Sequence, residues 1–260
     1  MRPLWIGGQA GCGKSTVARI LARRHGLRWY NADTRTWAHR DRALRAGDPD
    51  ARRFEELDPV ERWRRPVPEL LRMSLHHVRG PMVAEDVRGL PAPLTIAEGT
   101  TVTPRVTGDD PAVWLLASRA TRVARLAGRG LGEGQLALYL ELAEVVAAEV
   151  RAAGAPVITV DDRDVAATVA AVEELFAEPL AAGPKAEGPQ ERRALLREAN
   201  AAIIEQCRGF SSRPWANVEL SQIRRGFGCE CGDPGCLAEV ELAVCDYAPP
   251  VLAPGHTPTG

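Results

Sequence analysis

One stretch near the amino end constrains the fold more than any other: Gly8-Gln9-Ala10-Gly11-Cys12-Gly13-Lys14-Ser15. The apolar run Pro3-Leu4-Trp5-Ile6-Gly7 precedes it, and a helical pattern with Val17, Ala18, Ile20 and Leu21 follows. A glycine, four residues, then Gly-Lys-Ser between a strand and a helix is the spacing of a phosphate-binding loop. Glycines let successive backbone N–H groups turn toward one anion, and the helix N-terminus adds partial positive charge. Lys14 is placed to reach the β- and γ-phosphates of a nucleotide, and the Ser15 hydroxyl to ligate Mg²⁺. Gly8, Gly11, Cys12, Gly13, Lys14, Ser15 and Thr16 are therefore the expected nucleotide-binding residues. Of the 33 Lys and Arg residues only Lys14 and Lys185 are lysines, yet one sits where this loop requires it.

A loop of this kind needs a parallel sheet behind it, and the chain supplies the strands. Short apolar runs occur at 27–30, 93–99, 112–117 and 156–160, alternating with helical periodicity at 14–24, 133–153 and after Asp164. The expected helix at 133–153 carries Leu136, Leu140, Ala143, Ala147 and Val150 as its buried stripe. Between 68 and 90 the spacing is also helical, with Gly80-Pro81 as the expected kink or break. Five strands alternating with helices over residues 1–180 read as an α/β, doubly wound parallel sheet. Residues 181–189, rich in Gly, Pro and Ala, read as a linker, and 190–260 as a second, smaller α+β module.

Acids at strand ends are the next candidates, because open α/β sheets bind ligands beyond the carboxyl ends of their strands. Asp33 follows the second strand and can accept or orient a substrate hydroxyl; it would equally serve as an N-cap. Glu98 ends the third strand and can orient Mg²⁺ or hold substrate, or be a strand-end acid without a ligand. After the fourth strand, Arg119, Arg122, Arg125 and Arg129 fall at helical spacings of three and four. They suit either a lid that sets guanidinium groups on transferring phosphates or a solvated face. Residues 35–66, dense in Arg, Asp and Glu, read as partly exposed helices with little core that could close over a substrate; most of their arginines read as solvated surface charges and some as able to bind an anionic group. His39, His76 and His77 have no ligand-like partners in sequence and read as structural or surface residues, and Glu85-Asp86 as an exposed helical turn.

In the second module Cys229, Cys231 and Cys236 surround a Gly/Pro turn. Three soft thiolates at this spacing suit tetrahedral Zn²⁺. Cys245 and His256 are both candidates for the fourth ligand. A segment of this size with one helix and one clear strand has a small core, so a structural metal would help it fold.

A net charge of −1 offers no electrostatic case for nucleic acid or a membrane surface. No apolar run approaches the roughly 20 residues of a bilayer span. Met1-Arg2-Pro3 leads straight into the first strand without a secretory pattern, and clustered thiols beside a nucleotide loop point to a reducing cytoplasm.

The first module resembles the small-molecule kinase branch of the P-loop proteins: shikimate-kinase-like, nucleoside- and nucleotide-kinase-like enzymes and antibiotic phosphotransferases. The resemblance rests on Gly8 to Ser15, Asp33, Ile96-Ala97-Glu98-Gly99 and the arginine-rich segment after the fourth strand. It implies a five-stranded sheet, Mg-ATP, and a lid closing over the nucleotide. The Gly-Gly-Gly substrate loop of shikimate kinases and the substrate signature of nucleotide kinases are missing, which leaves the acceptor open. The tail resembles a small module of actinobacterial proteins, carried by Cys229 to Cys236, Val240-Glu241-Leu242, Asp246-Tyr247 and Pro254-Gly255-His256. That pattern does not require cysteine at the position of Cys245, which favours His256 as the fourth ligand.

The expectation is an ATP-dependent phosphotransferase acting on a small hydroxylated molecule. Lys14 would neutralise phosphate charge, Ser15 and Glu98 hold Mg²⁺, Asp33 address the acceptor hydroxyl, and Arg122 and Arg125 stabilise the transferring group. The alternative is a nucleotide-dependent regulator whose zinc module docks a partner.

Overall fold

A computed structural model describes residues 2–259. Five parallel strands form the main sheet: β1 (Leu4–Gly8), β2 (Arg28–Asn31), β3 (Thr95–Glu98), β4 (Ala112–Leu116) and β5 (Val157–Thr159), in the spatial order β2-β3-β1-β4-β5. This is the sheet of a P-loop nucleotide-binding fold, with the glycine loop between β1 and helix α1 (Lys14–His25). β1 is central and wholly buried, and its side chains alternate between two layers. Leu4 and Ile6 pack with Val17, Leu21, Ile96 and Leu115, whereas Trp5 packs on the other face with Tyr30, Val83 and Ala97. Burying each such aliphatic side chain contributes about 1.5–3 kcal/mol.

Register puts the strand ends at one level. Ile6 pairs with Glu98, and Glu98 pairs with Asn31. The chain leaves β1, β2 and β3 along the same edge, which brings the glycine loop, Asp33 and Glu98 to it. Gly8 is required at its position: φ is +128°, and a Cβ would lie 2.2 Å from the Leu115 carbonyl oxygen.

Helices α2 (Thr36–Arg45), α3 (Pro49–Glu56), α4 (Pro59–Trp63), α5 (Val67–Met73) and α6 (His76–Arg88) form the excursion between β2 and β3. The sequence predicted a thin core here, but the structure buries one. Phe54, Leu57, Leu70 and Met73 pack against Leu138 and Leu142, with Trp37, Trp63 and Trp215 around them. Two arginines of this charged segment are inside it. Arg40 and Arg62 are 3% and 1% exposed, with their Cζ atoms 3.7 and 3.8 Å from the Phe54 ring centroid. Two guanidinium groups that close to one ring must occupy its opposite faces, so Phe54 is sandwiched between cations.

The break expected at Gly80-Pro81 lies instead at Ser74-Leu75, where Leu75 adopts φ +58° between α5 and α6. Pro81 is accommodated inside α6. Gly80 serves packing: a Cβ there would meet Val106 at 2.6 Å. Asp86 is a polar hub rather than an exposed turn, accepting from Tyr30 (2.8 Å), His39 (2.9 Å) and Arg42 (3.0 Å). The short helix α7 (Pro104–Thr107) leads to β4, which is followed by α8 (Arg119–Ala127) and α9 (Glu133–Ala152). The buried stripe of α9 is Leu138, Leu142, Ala143, Val146, Ala147 and Val150, whereas Leu136 and Leu140 are half-buried.

After β5, helices α10 (Val165–Leu175) and α11 (Ala177–Ala182) precede the breaker-rich stretch. That stretch is fastened to the sheet module: Leu94 N–H donates to Pro184 O and Ala186 N–H to Gly26 O, both at 2.8 Å. The long helix α12 (Pro189–Ser211) then lies along the β2 edge, with Arg28 paired to Glu198 at 2.8 Å. An antiparallel hairpin, β6 (Arg224–Gly228) and β7 (Glu239–Ala243), completes the second module. Its anchor is Asn200, which exchanges two hydrogen bonds with the Gly228 backbone and donates to the fully buried Glu230. Among the described residues no helix is long and apolar enough to cross a membrane.

Candidate functional site

The glycine loop has the left-handed turns its sequence demands, with φ of +84° at Gly11 and +83° at Gly13. Gln9 holds it in place: Nε2 donates to Ala143 O (2.9 Å) and Oε1 accepts from Ala117 N–H (2.9 Å). Lys14 is 7% exposed and its Nζ donates to the Gln9 carbonyl at 2.9 Å, folding the ammonium back over the loop. Cys12 is 2% exposed and belongs to the core beneath the loop. Burial pushes its thiol up despite the charges of Lys14, Arg122 and Arg125, so it packs as a neutral group.

Lys14, Ser15, Thr16 and Asp33 line one cavity of about 450 Å³. Asp33 is exposed at its wall, in the 3₁₀ turn after β2. The capping role considered for it is taken by Asn31, whose Oδ1 accepts the Asp33 N–H at 2.8 Å. The Asp33 carboxylate is thus left to the cavity. Its charge acts on two other lining residues, favouring the protonated forms of Arg79 and Tyr139.

Glu98 is 1% exposed, and neither carboxylate oxygen has a hydrogen-bond partner. Burial pushes its carboxyl up to about 7, with Lys14 and Ser15 pulling down and Asp33 pushing further up. A buried, unpartnered carboxylate beside the Ser15 hydroxyl fits a divalent cation held directly or through water.

The arginines of α8 do not act as one face. Arg122 is buried, with Nη2 donating to Glu144 on α9 at 2.6 Å. Arg125 bonds the carbonyls of Gly11 (3.2 Å) and Val160 (3.3 Å). Arg119 is exposed, and neither Arg122 nor Arg125 lines the cavity; Arg129, just past the helix, does. The reason is the helix period: Arg122 sits one turn before Leu126, on the side that packs inward.

Sequence reading missed much of the cavity wall. Trp37, Arg79, Tyr139 and Gln206 line it from α2, α6, α9 and α12. One signal was available: Gln135, Leu138, Tyr139 and Leu142 are spaced as a single helical face, and all four line it.

The thiol cluster lies in the second module. Ligand atoms of Cys229, Cys231, Cys236 and His256 are all within 4.8 Å of one another, and His256 Nδ1 is 3.5 Å from both Cys229 and Cys236 Sγ. Cys245 is exposed and turned to Asp246, outside the group. Burial acts to raise the Cys229 thiol, but N–H groups of Ala253 and Cys231 outweigh it and hold the thiol below its ordinary value. Cys231 beside it is pushed up to about 11, chiefly by burial. Without a cation the cluster therefore does not sustain three thiolates at neutral pH. Tetrahedral sulfur ligands at about 2.3 Å from zinc stand roughly 3.8 Å apart, a separation this cluster accommodates. The three histidines read as structural are partnered differently. His39 bonds Asp86, while His76 and His77 bring ring nitrogens within 4.8 Å of each other and of a Glu149 oxygen.

No protein-family model matches the chain, and no curated protein does. Solved structures align with it at low identity. A shikimate kinase from Acinetobacter baumannii, in complex with shikimate, aligns with TM-score 0.41 and 17% identity over 70% of this chain and 94% of its own. A gluconokinase from Sinorhizobium meliloti gives 0.40 and 18% over 69% and 94%. A sugar kinase from Janibacter sp. gives 0.39 and 20% over 70% and 97%.

Proposed function

We propose that this protein is an ATP-dependent, Mg²⁺-assisted phosphotransferase of the cytoplasm, acting on a small hydroxylated molecule. One observation carries the reading: Lys14 and Ser15 of the glycine loop and the uncapped Asp33 carboxylate line the same cavity. A nucleotide-binding loop alone needs only phosphate ligands. A free carboxylate across the same space supplies what an acceptor hydroxyl requires.

In this reading the glycine loop N–H groups and Lys14 hold the β- and γ-phosphates. Ser15 and Glu98 would hold Mg²⁺, which supplies charge neutralisation on the phosphate oxygens when bound. Asp33 hydrogen-bonds the acceptor hydroxyl, orients its oxygen toward the γ-phosphorus and takes its proton as the new P–O bond forms and ADP leaves. Arg129 lines the cavity and is the arginine of the segment from 119 to 129 that would meet the developing charge. Arg122 and Arg125 brace α8 and the loop from behind. Cys229, Cys231, Cys236 and His256 would hold Zn²⁺ as a structural ion that fixes the hairpin.

The test is Asp33→Asn. ATP affinity should stay within about threefold, while phosphate transfer to an acceptor falls by about 10²–10⁴. Unchanged transfer in the variant would remove Asp33 from the chemistry and the reading with it. The regulator alternative is disfavoured because α12 contributes Gln206 to the cavity instead of presenting a detachable docking arm.

A further inference from the structure

The charges around the cavity do not balance. Four lining side chains are cations, Lys14, Arg40, Arg79 and Arg129, against the single acid Asp33. His76, pushed down to about 4 by burial, adds no charge at neutral pH. In the reading above Lys14 and Arg129 address the nucleotide phosphates. Arg79 lies in the field of Asp33, which favours its protonated form. Arg40 is left without a counter-charge.

Arg40 is 3% exposed. Its Nη2 donates to Met73 O at 2.8 Å, but Nε and Nη1 are buried with no partner. Glu55 is the acid whose charge acts on it, and Glu55 is already engaged by Trp215 Nε1 (2.7 Å) and Arg213 (3.5 Å). A buried cation with unmet donors is costly unless an anion completes it. The Phe54 ring offsets part of that cost, and a guanidinium stacked on a ring keeps its N–H groups at its edge. Arg62 stacks on the same ring at 3.8 Å but does not line the cavity, so it braces the ring and nothing more. Arg40 does both.

A second donor comes from the other module. Gln206 of α12 lines the cavity, and its Oε1 is held by the Trp37 N–H at 3.3 Å, which leaves Nε2 to donate. Trp37 and Arg40 are three residues apart on α2 and so share a face.

We propose, resting on the kinase reading above, that the acceptor is a hydroxylated molecule carrying an oxyanion away from its reacting hydroxyl, bound by Arg40 together with the Gln206 amide of the second module. Asp33 takes the hydroxyl and α2 and α12 take the oxyanion. Carboxylates and phosphate monoesters share this chemistry. One surplus positive charge matches a carboxylate, whose two oxygens fit a guanidinium edge. The second module is then a substrate-binding element of the kinase.

The experiment uses the full chain. Hydroxy acids are paired with their uncharged amides, and sugar phosphates with their parent sugars. Binding is measured by calorimetry with Mg²⁺ and a non-hydrolysable ATP analogue filling the glycine loop, so that no added anion can occupy it. Phosphorylated product is then measured with Mg-ATP. The expected best acceptor is an anion whose kcat/KM exceeds that of its uncharged twin by at least about tenfold. A sugar phosphate ahead of every acid makes the oxyanion a phosphate; the reverse makes it a carboxylate.

Gln206→Glu keeps an acceptor for the Trp37 N–H but sets a negative charge beside the oxyanion. It should raise the KM of the anionic acceptor by about tenfold and leave the uncharged twin little affected. Arg40→Met should erase the preference for the anion, whereas Arg62→Met should keep it. Should Arg40→Met fail to fold, Gln206→Glu decides alone. Uncharged twins accepted as well as the anions overturn the inference and leave the kinase standing, as does a preference untouched by Gln206→Glu. Anion binding that Gln206→Glu weakens, with no transfer to any compound, keeps the oxyanion site and overturns the kinase. No binding of any anion, in a protein that binds the ATP analogue, overturns the inference outright.

Discussion

The backbone N–H of Trp37 donates to Oε1 of Gln206 at 3.3 Å, tying α2 to the long helix α12. Phe210 and Trp215 continue the contact, each with its ring centroid 5.7 Å from that of Trp37. The second module is therefore part of the cavity's support. The Cys229 carbonyl accepts from Arg23 of α1 at 2.6 Å, so the thiol cluster itself is anchored on the nucleotide side.

Metal removal should consequently be felt in both modules. Anaerobically purified protein is expected to hold close to one zinc. Chelation, or Cys236→Ser, should lower the melting temperature by roughly 10 °C, since about 3–5 kcal/mol shifts a domain of this size by some 2–4 °C per kcal/mol. Elemental analysis and scanning calorimetry check this. Less than about half an equivalent of zinc, or an unchanged Tm after chelation, sinks it.

Glu98 gives a pH signature. Its carboxyl is raised to about 7 in the fold against an ordinary 4.5. The folded state thus holds a proton that the unfolded chain releases. The associated stability is complete below pH 4.5 and is lost as pH rises through 7, amounting to about 3 kcal/mol at most. Glu98→Gln should flatten this dependence. Urea midpoints at pH 5 and pH 8, without Mg²⁺, measure it; equal slopes in the variant and the parent would exclude Glu98 as the source.

Arg129 and Arg122 should separate cleanly. Arg129→Ala is expected to lower kcat by about 10²-fold with little change in melting temperature, as for a group that meets charge only in the transition state. Arg122→Ala removes the cation paired with Glu144 from a buried position. It should cost about 2–4 kcal/mol of stability, read from denaturant midpoints.

The Phe54 sandwich makes a fourth prediction. Arg62→Ala deletes a guanidinium that stacks on both Phe54 and Trp215 and donates to the Leu57 carbonyl at 2.9 Å. A loss of about 2–4 kcal/mol is expected from the desolvated cation–π contacts and the packing around them. Arg62→Met, which keeps much of the volume, should recover part of it. Chemical denaturation of the two variants gives the comparison.

What the sequence revealed follows from the range of each signal. The five-stranded parallel sheet and the glycine loop are written locally, in periodicity and glycine spacing, and the structure has both. Asp33 and Glu98 were legible as acids just past apolar runs. The aromatic side of the cavity was not legible, because Trp37, Phe54 and Trp63 lie on separate short helices and Trp215 stands far along the chain. In a segment so rich in charge, Arg40 and Arg62 read as solvated. Their burial depends on an aromatic ring that only tertiary packing brings between them. Arg122 misled for a related reason: helical spacing shows which residues share a face, not whether that face looks inward.

The aromatic closure by Trp215 also sets an order of events during synthesis. Sheet and glycine loop are complete in sequence long before Trp215 leaves the ribosome, and until then Trp37 and Phe54 lack the partner that backs them. A nascent chain can thus assemble its sheet and glycine loop while the aromatic side of the cavity is still open. The aromatic part of the cavity is thus finished last, by a residue far along the chain from the glycine loop.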